Sequence, residues 1–417
     1  MRTFTLVWFG QLLSTIGSYM SEFALVLWAW QLTNSATALA LVVFFSGLPQ
    51  IPISLFSGLL VDRFNRKRLM ILGDAIAALA TLCIGALYLT DSLQVWHIYL
   101  AAAINGGFGQ IQRLAYQASV SLLVSSRQYI RANSMNSIVH YGAEIVAPAF
   151  AGYLYPHIQL SGILWIDLAT FGIAITTLLC IHLPQSESTE ATEEEGHIFY
   201  QLTFGLRYVW TRRSLRKLII IVALFSFAHD LSEAIYDPMI LARTNGNAQI
   251  LASTAVVAGI GGVTGAVVLS AWGGPKHRIQ GIFSGFIGVG LSKLVFGLGQ
   301  STRIWLPAQL CSSLSFPLLE SSETAIWMES TEPELQGRVF AANELVMQLV
   351  STLAALLAGP LADNLLEPMM ASPVMLAHPL GYIFGTGAGA GSAVLYVLCA
   401  IAMLLIGIVA RALMPKK

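Results

Sequence analysis

Gly58-Leu59-Leu60-Val61-Asp62-Arg63-Phe64-Asn65-Arg66-Lys67-Arg68 decides the fold of this chain. It joins two apolar stretches, at about 37–61 and 69–90. A bilayer span takes about 20 mainly apolar residues, and both stretches are long enough. Asp62 then ends a helix at a membrane face. The cations beside it can reach neighbouring helix ends, whose carbonyls carry negative partial charge.

The same pattern repeats outward. Apolar stretches run at about 4–31, 37–61, 69–90, 96–118, 133–155, 161–182, 216–238, 250–272, 279–299, 304–327, 338–361 and 390–412. The reading is an all-α integral membrane protein of twelve transmembrane helices. Composition agrees: of 417 residues, 56% are hydrophobic and 11% charged, where soluble domains carry about 25% charged residues. Net charge is zero, so nothing in bulk electrostatics favours a nucleic acid. The first stretch resembles a signal peptide, but it is too long and contains Glu22, so it reads as a span.

With the N-terminus in the cytoplasm and spans alternating, 19 of the 22 basic residues fall in cytoplasmic loops. The others are Arg243, Arg303 and Lys293, the last within a span. Basic residues mark the cytoplasmic side, so both termini are expected there.

The longest polar interval, 183–215, begins with an acidic Ser/Thr-rich run and ends in aromatic and arginine residues. It reads as a cytoplasmic linker with an amphipathic surface helix. It divides the chain into a six-helix half at 1–182 and another at 216–417. Span five (Asn133, Pro148) and span eleven (Asn343, Pro360) echo each other, as in a pseudo-repeat. Cys83, Cys180, Cys311 and Cys399 sit in separate apolar runs without metal-ligand spacing. They read as small packing residues, with no disulfide and no metal.

The Gly58–Arg68 segment resembles the loop signature of the major facilitator superfamily, with Asn65 where glycine is usual. Asn also tolerates a left-handed turn. The resemblance implies a latch between the halves on the cytoplasmic side, formed by Asp62, Arg63 and Arg66 with Arg338 as partner. Its second copy, Trp272 to Arg278, lacks an acid. Gly10-Gln11, Leu60 to Arg63, Ile166-Asp167 and Gly337 to Phe340 are similar to the macrolide-efflux and siderophore-export group. Ala143 to Gly152 resembles the superfamily's antiporter motif, with alanines at 143, 147 and 151 replacing three glycines. The embedded arginine of many proton-driven exporters is not matched: span four has Asn105-Gly106-Gly107, and its arginine is Arg113, near the cytoplasmic end.

Ionisable residues within apolar spans are costly and therefore candidates for function. His140 and Glu144 stand four apart on one face of span five, beside an expected bend at Pro148, and are candidates for proton coupling. Asp230, Glu233 and Asp237 follow helical spacing in span seven; Glu320 and Glu323 lie in span ten. The resemblance implies that spans one, four, seven and ten line a cavity, which turns Glu22, Asp230, Glu233 and Glu320 toward substrate. Asp167 and Lys293 read as structural or snorkelling. The glycines at 259–265 and 385–391 read as helix packing, not phosphate loops.

No catalytic or ATP-binding constellation emerges, and no cofactor is expected. The expectation is a monomeric secondary transporter in a bacterial cytoplasmic membrane. It would export a bulky amphipathic small molecule, a drug or siderophore, by proton-coupled alternating access. An importer or lysolipid transporter of the same fold, and a non-transporting sensor or scaffold, stay open.

Overall fold

The computed structural model describes residues 2–55, 64–125, 128–181, 197–275, 277–332, 335–372 and 377–413. Among these, secondary structure is helical and no strand occurs. Asp62 and Arg63, and most of the acidic linker, lie outside the described residues. Among the described residues, nine helical runs are long and apolar enough to cross a membrane.

The chain forms two compact units. The first comprises residues 1–32 and 42–193. Its elements are α1 (Arg2–Thr33), the second half of α2 (Ala36–Gly47), α3 (Gln50–Leu55), α4 (Arg66–Leu89), α5 (Val95–Leu123) and α6 (Tyr129–Cys180). Asn65 starts α4 as an N-cap, its Oδ1 accepting from the Arg68 amide at 3.1 Å. Its φ of −63° makes no use of the left-handed turn that Asn tolerates: capping meets an orphan amide at no steric cost. The basic cluster crowns helix ends. Arg66 donates to the Ala118 carbonyl at 2.8 Å, and Lys67 to those of Leu179 and Ile181. α5, 29 residues long, falls outside the nine runs because Asn105, Gln110, Gln112 and Arg113 dilute its apolar character.

α6 runs for 52 residues, the length of two spans. Its non-helical residue is Gln159, at φ 57°, ψ −172°. The backbone dihedrals stay helical past Pro148, and the break lies three residues beyond Pro156, in the seam expected between 155 and 161.

The second unit comprises residues 33–41 and 194–417. It contains α7 (His197–Thr211), α8 (Arg213–Ala234), α9 (Tyr236–Arg243), α10 (Ala248–Trp272), α11 (Arg278–Leu298), α12 (Thr302–Ser330) and α13 (Gln336–Pro360). A π-helical turn, Leu361–Leu366, leads into α14 (Glu367–Ala371); α15 (Ala377–Phe384) and α16 (Ala390–Leu413) follow. Phe286, Phe296, Trp305 and Tyr396 are fully buried at its centre, and Phe225 stacks on Phe286 with centroids 3.9 Å apart. Gly261 and Gly265 let α10 approach α12, since an added Cβ would stand 2.7 and 2.5 Å from the Leu310 and Leu314 carbonyls. The 385–391 tract differs from expectation. Gly385 and Gly389 take φ of 79° and 82° at a turn, while Gly389 also packs tightly on Ala242 of α9 and Gly391 on Glu367. Cys83, Cys180 and Cys311 are exposed rather than packed, while Cys399 is buried.

The short connection before α2 belongs to this second unit. The Ser35 hydroxyl donates to Asp363 Oδ2 at 2.6 Å, and the amides of Ala36 and Thr37 donate to Asp363 at 3.1 and 2.8 Å. Asp363, on the π-helical turn, thus caps the start of α2 from 328 residues away.

Candidate functional site

The first unit encloses a cavity of about 880 Å³ among α1, α4, α5 and α6. Gly10 and Gly17, two turns apart on α1, admit the closing half of α6. An added Cβ at either would stand within 2.4 Å of a threonine hydroxyl there. Glu22 is exposed and lines this cavity.

Two deeper carboxylates line it as well. Asp74, 4% exposed, accepts from Gln11 Nε2 at 3.1 Å and Gln112 Nε2 at 3.3 Å, and Gln112 also donates to Gln11 Oε1. Asp167, 1% exposed, accepts from Thr81 at 3.1 Å and Ser18 at 3.4 Å. These donors are neutral, so each carboxylate is held by hydrogen bonds without a cation. Arg113 also lines the cavity and donates to Gln110 Oε1. Sequence reasoning misses Asp74, because it stands near a basic loop where a carboxylate draws no notice. The available signal is Gln11 on α1, a polar residue inside an apolar span that needs a partner.

Glu144 is exposed on α6 and makes interactions there. His140 shares the helix, and its side chain lies outside the described residues.

In the second unit, α8 ends at Ala234 and Ile235 breaks the run at φ −102°, ψ 0°. Pro238 supplies the cause, because it cannot donate to the carbonyl four residues back. Asp230, Glu233 and Asp237 therefore do not share one continuous helix: the first two lie on α8 and Asp237 on α9. Glu233 meets Lys293 of α11 at 2.5 Å, and Lys293 is 1% exposed. Lys293 is thus a buried partner, which corrects the snorkelling alternative. The His229 ring packs against Phe316, centroids 4.7 Å apart. Glu320 is exposed on α12, and Glu323 accepts from Trp327 Nε1 at 3.1 Å. The Arg338 guanidinium lies over the Phe204 ring, 5.4 Å from its centroid. Among the described residues, no group of three or more His, Cys, Asp or Glu could hold a metal.

A twofold grouping of long apolar helices around buried polar side chains defines a polytopic membrane protein. The chain belongs to the Major Facilitator Superfamily, whose sequence profile matches residues 7–355. It is 26% identical over 366 residues to macrolide efflux protein A of Streptococcus pyogenes, covering 87% of this chain and 90% of the relative. It is 22% identical over 363 residues to the multidrug efflux pump Tap of Mycobacterium tuberculosis, covering 86% of each. In fold it resembles the nucleoside transporter NupG, with TM-score 0.68, 13% identity and full coverage of both chains. It also resembles a bacterial homologue of the iron transporter ferroportin in its inward-facing state. There the TM-score is 0.65 and the identity 14%, over 97% of this chain and 98% of that one.

Proposed function

We propose that this protein is a proton-coupled exporter of bulky amphipathic compounds of the drug or siderophore class. The observation that carries the reading is its end-to-end likeness to macrolide efflux protein A. The proposed arrangement is twelve helices in two six-helix halves, split by the 183–215 linker. The proposed setting is a monomer in a bacterial cytoplasmic membrane, with both termini inside. Glu22, Asp230, Glu233 and Glu320 are the proposed contacts for substrate, favouring cationic molecules. Asp62, Arg63, Arg66 and Arg338 are proposed to govern switching between access states. His140 and Glu144 are proposed to pass the proton, since Gln at 144 keeps size and hydrogen bonding but cannot release one.

The test is transport in proteoliposomes of known orientation, with ethidium and erythromycin as probes. With the cytoplasmic face outward and an acidic lumen, the parent should accumulate both. Accumulation driven by an alkaline lumen instead would overturn export by antiport. Glu144→Gln should lose the pH-driven accumulation and keep exchange at equal concentrations. Uphill transport equal to the parent's would remove Glu144 from the coupling path.

A further inference from the structure

We infer that Lys293 is a positioning residue for Glu233. It keeps this carboxylate ionised, so that Glu233 meets a cationic ligand as a fixed charge and does not carry the proton. The inference rests on the proposed cation-binding role of Glu233 and adds a residue outside that set.

The geometry is asymmetric. Lys293 is 1% exposed, whereas the Glu233 side chain is 42% exposed. Lys293 Nζ donates to Glu233 Oε1 at 2.5 Å and to Ser232 Oγ at 2.8 Å. The Ser232 hydroxyl donates in turn to the His229 carbonyl at 2.6 Å, which leaves its oxygen free to accept. The Tyr396 ring of α16 lies 5.2 Å from the ammonium, within cation–π range. One carboxylate oxygen is therefore held from behind by a buried cation, while the side chain keeps an open face.

Among the described residues Glu233 is the one carboxylate in salt-bridge contact with the ammonium, and protonating it would remove that contact. A buried charge that loses its partner is strongly disfavoured, so the pair resists taking up a proton. The other titratable groups around it do not replace the ammonium. His229 and Asp230 lie on α8 with Glu233, and Tyr236 and Asp237 on α9; Tyr396 and Cys399 face the pair from α16. Of these, the single possible cation is His229, and its ring is packed between Phe225 and Phe316. The arrangement contrasts with Asp74 and Asp167 in the first unit, which hold only neutral donors. Negative charge in the second unit is thus pinned at Glu233.

A hydrophobic carbodiimide tests this without any substrate, because it modifies a carboxyl only in its protonated form. The purified full chain is treated from mildly acidic to mildly alkaline pH, and peptides are mapped by mass spectrometry. Glu233 should stay unmodified in the parent and in Lys293→Arg. Lys293→Met should raise its modification about tenfold or more, with a new dependence on pH. Equal modification of parent and Lys293→Met, or failure of Lys293→Arg to protect, overturns the inference. Should Lys293→Met fold poorly, the double variant Lys293→Met/Glu233→Gln decides. It should melt closer to the parent than either single variant does, since both charges leave together. Additive losses would show that the two side chains are not coupled. Ethidium binding to the same preparations separates this inference from the broader one. If Glu233→Gln binds ethidium as tightly as the parent while the labelling pattern holds, the cation-binding role fails and the Lys293 role stands.

Discussion

Asp74 shows how a carboxylate is kept in an apolar setting without a counter-ion. Its two oxygens accept from two glutamine amides on different helices, which ties α1 and α5 to α4. Removing an acceptor leaves buried donors unsatisfied, at about 1–3 kcal/mol for each group. Asp74→Leu is therefore expected to destabilise by about 2 kcal/mol or more, and Asp74→Asn by clearly less, because its Oδ1 still accepts. Thermal unfolding in detergent reads both. Equal losses would mean that shape, not hydrogen bonding, sets the requirement. At this scale the sequence is only partly legible. Glu22, Asp230 and Glu233 stand out as acids in apolar spans. Their partners do not, because pairing depends on how helices rotate against one another. Lys293 lies 60 residues from Glu233, and Asp74 lies 63 from Gln11.

Among the elements, α2 has the most unusual start. Helix N-termini leave amides unpaired, and here Ser35 and Asp363 share the task. Gly359 makes the approach possible, since a Cβ there would stand 2.3 Å from the Thr37 Cα. The π-helical turn that follows Pro360 carries Asp363. Loss of a capping carboxylate costs about 0.5–2 kcal/mol. Asp363→Ala should lower thermal stability by that amount and Asp363→Asn by less, as measured in the same melting assay. An unchanged melting point in Asp363→Ala would show that water replaces the cap fully. Nothing in the local sequence announces this contact, because a single acid after a proline reads as an ordinary helix end. By contrast, Asn65 is legible once capping is weighed against turning, as it directly precedes a basic helix start.

For the whole molecule, helices were the legible part. Lipid solubility is a near-additive property of consecutive residues, so a linear reading finds most of the long apolar runs. It is weakest where polar side chains gather on one helix. α5 and α12 read as spans in the sequence yet fall short of the apolarity of the other nine runs. The linear reading places the seam between spans five and six at 155–161, where Gln159 breaks the helix, but misses the break within the seventh span at Ile235, because proline's effect depends on what its neighbours can accept. The skew of basic residues adds a prediction that only the intact chain can answer. Reporter fusions after Lys417 and within the 183–197 segment should both report the cytoplasm. A periplasmic signal from either would overturn the alternation of spans.

The Lys293–Glu233 pair also has a history in time. A ribosome delivers α8 before α11, so the acid is already in the bilayer when the base emerges. A lone lysine at a helix centre carries an insertion penalty of about 2.5–3.5 kcal/mol, and Lys293, five residues before the end of the 21-residue α11, meets part of it. The acid made earlier lowers that barrier for the helix made later. Sequence order then bears on assembly order: Glu233→Gln, 60 positions before the lysine, is expected to make the insertion of α11 less efficient.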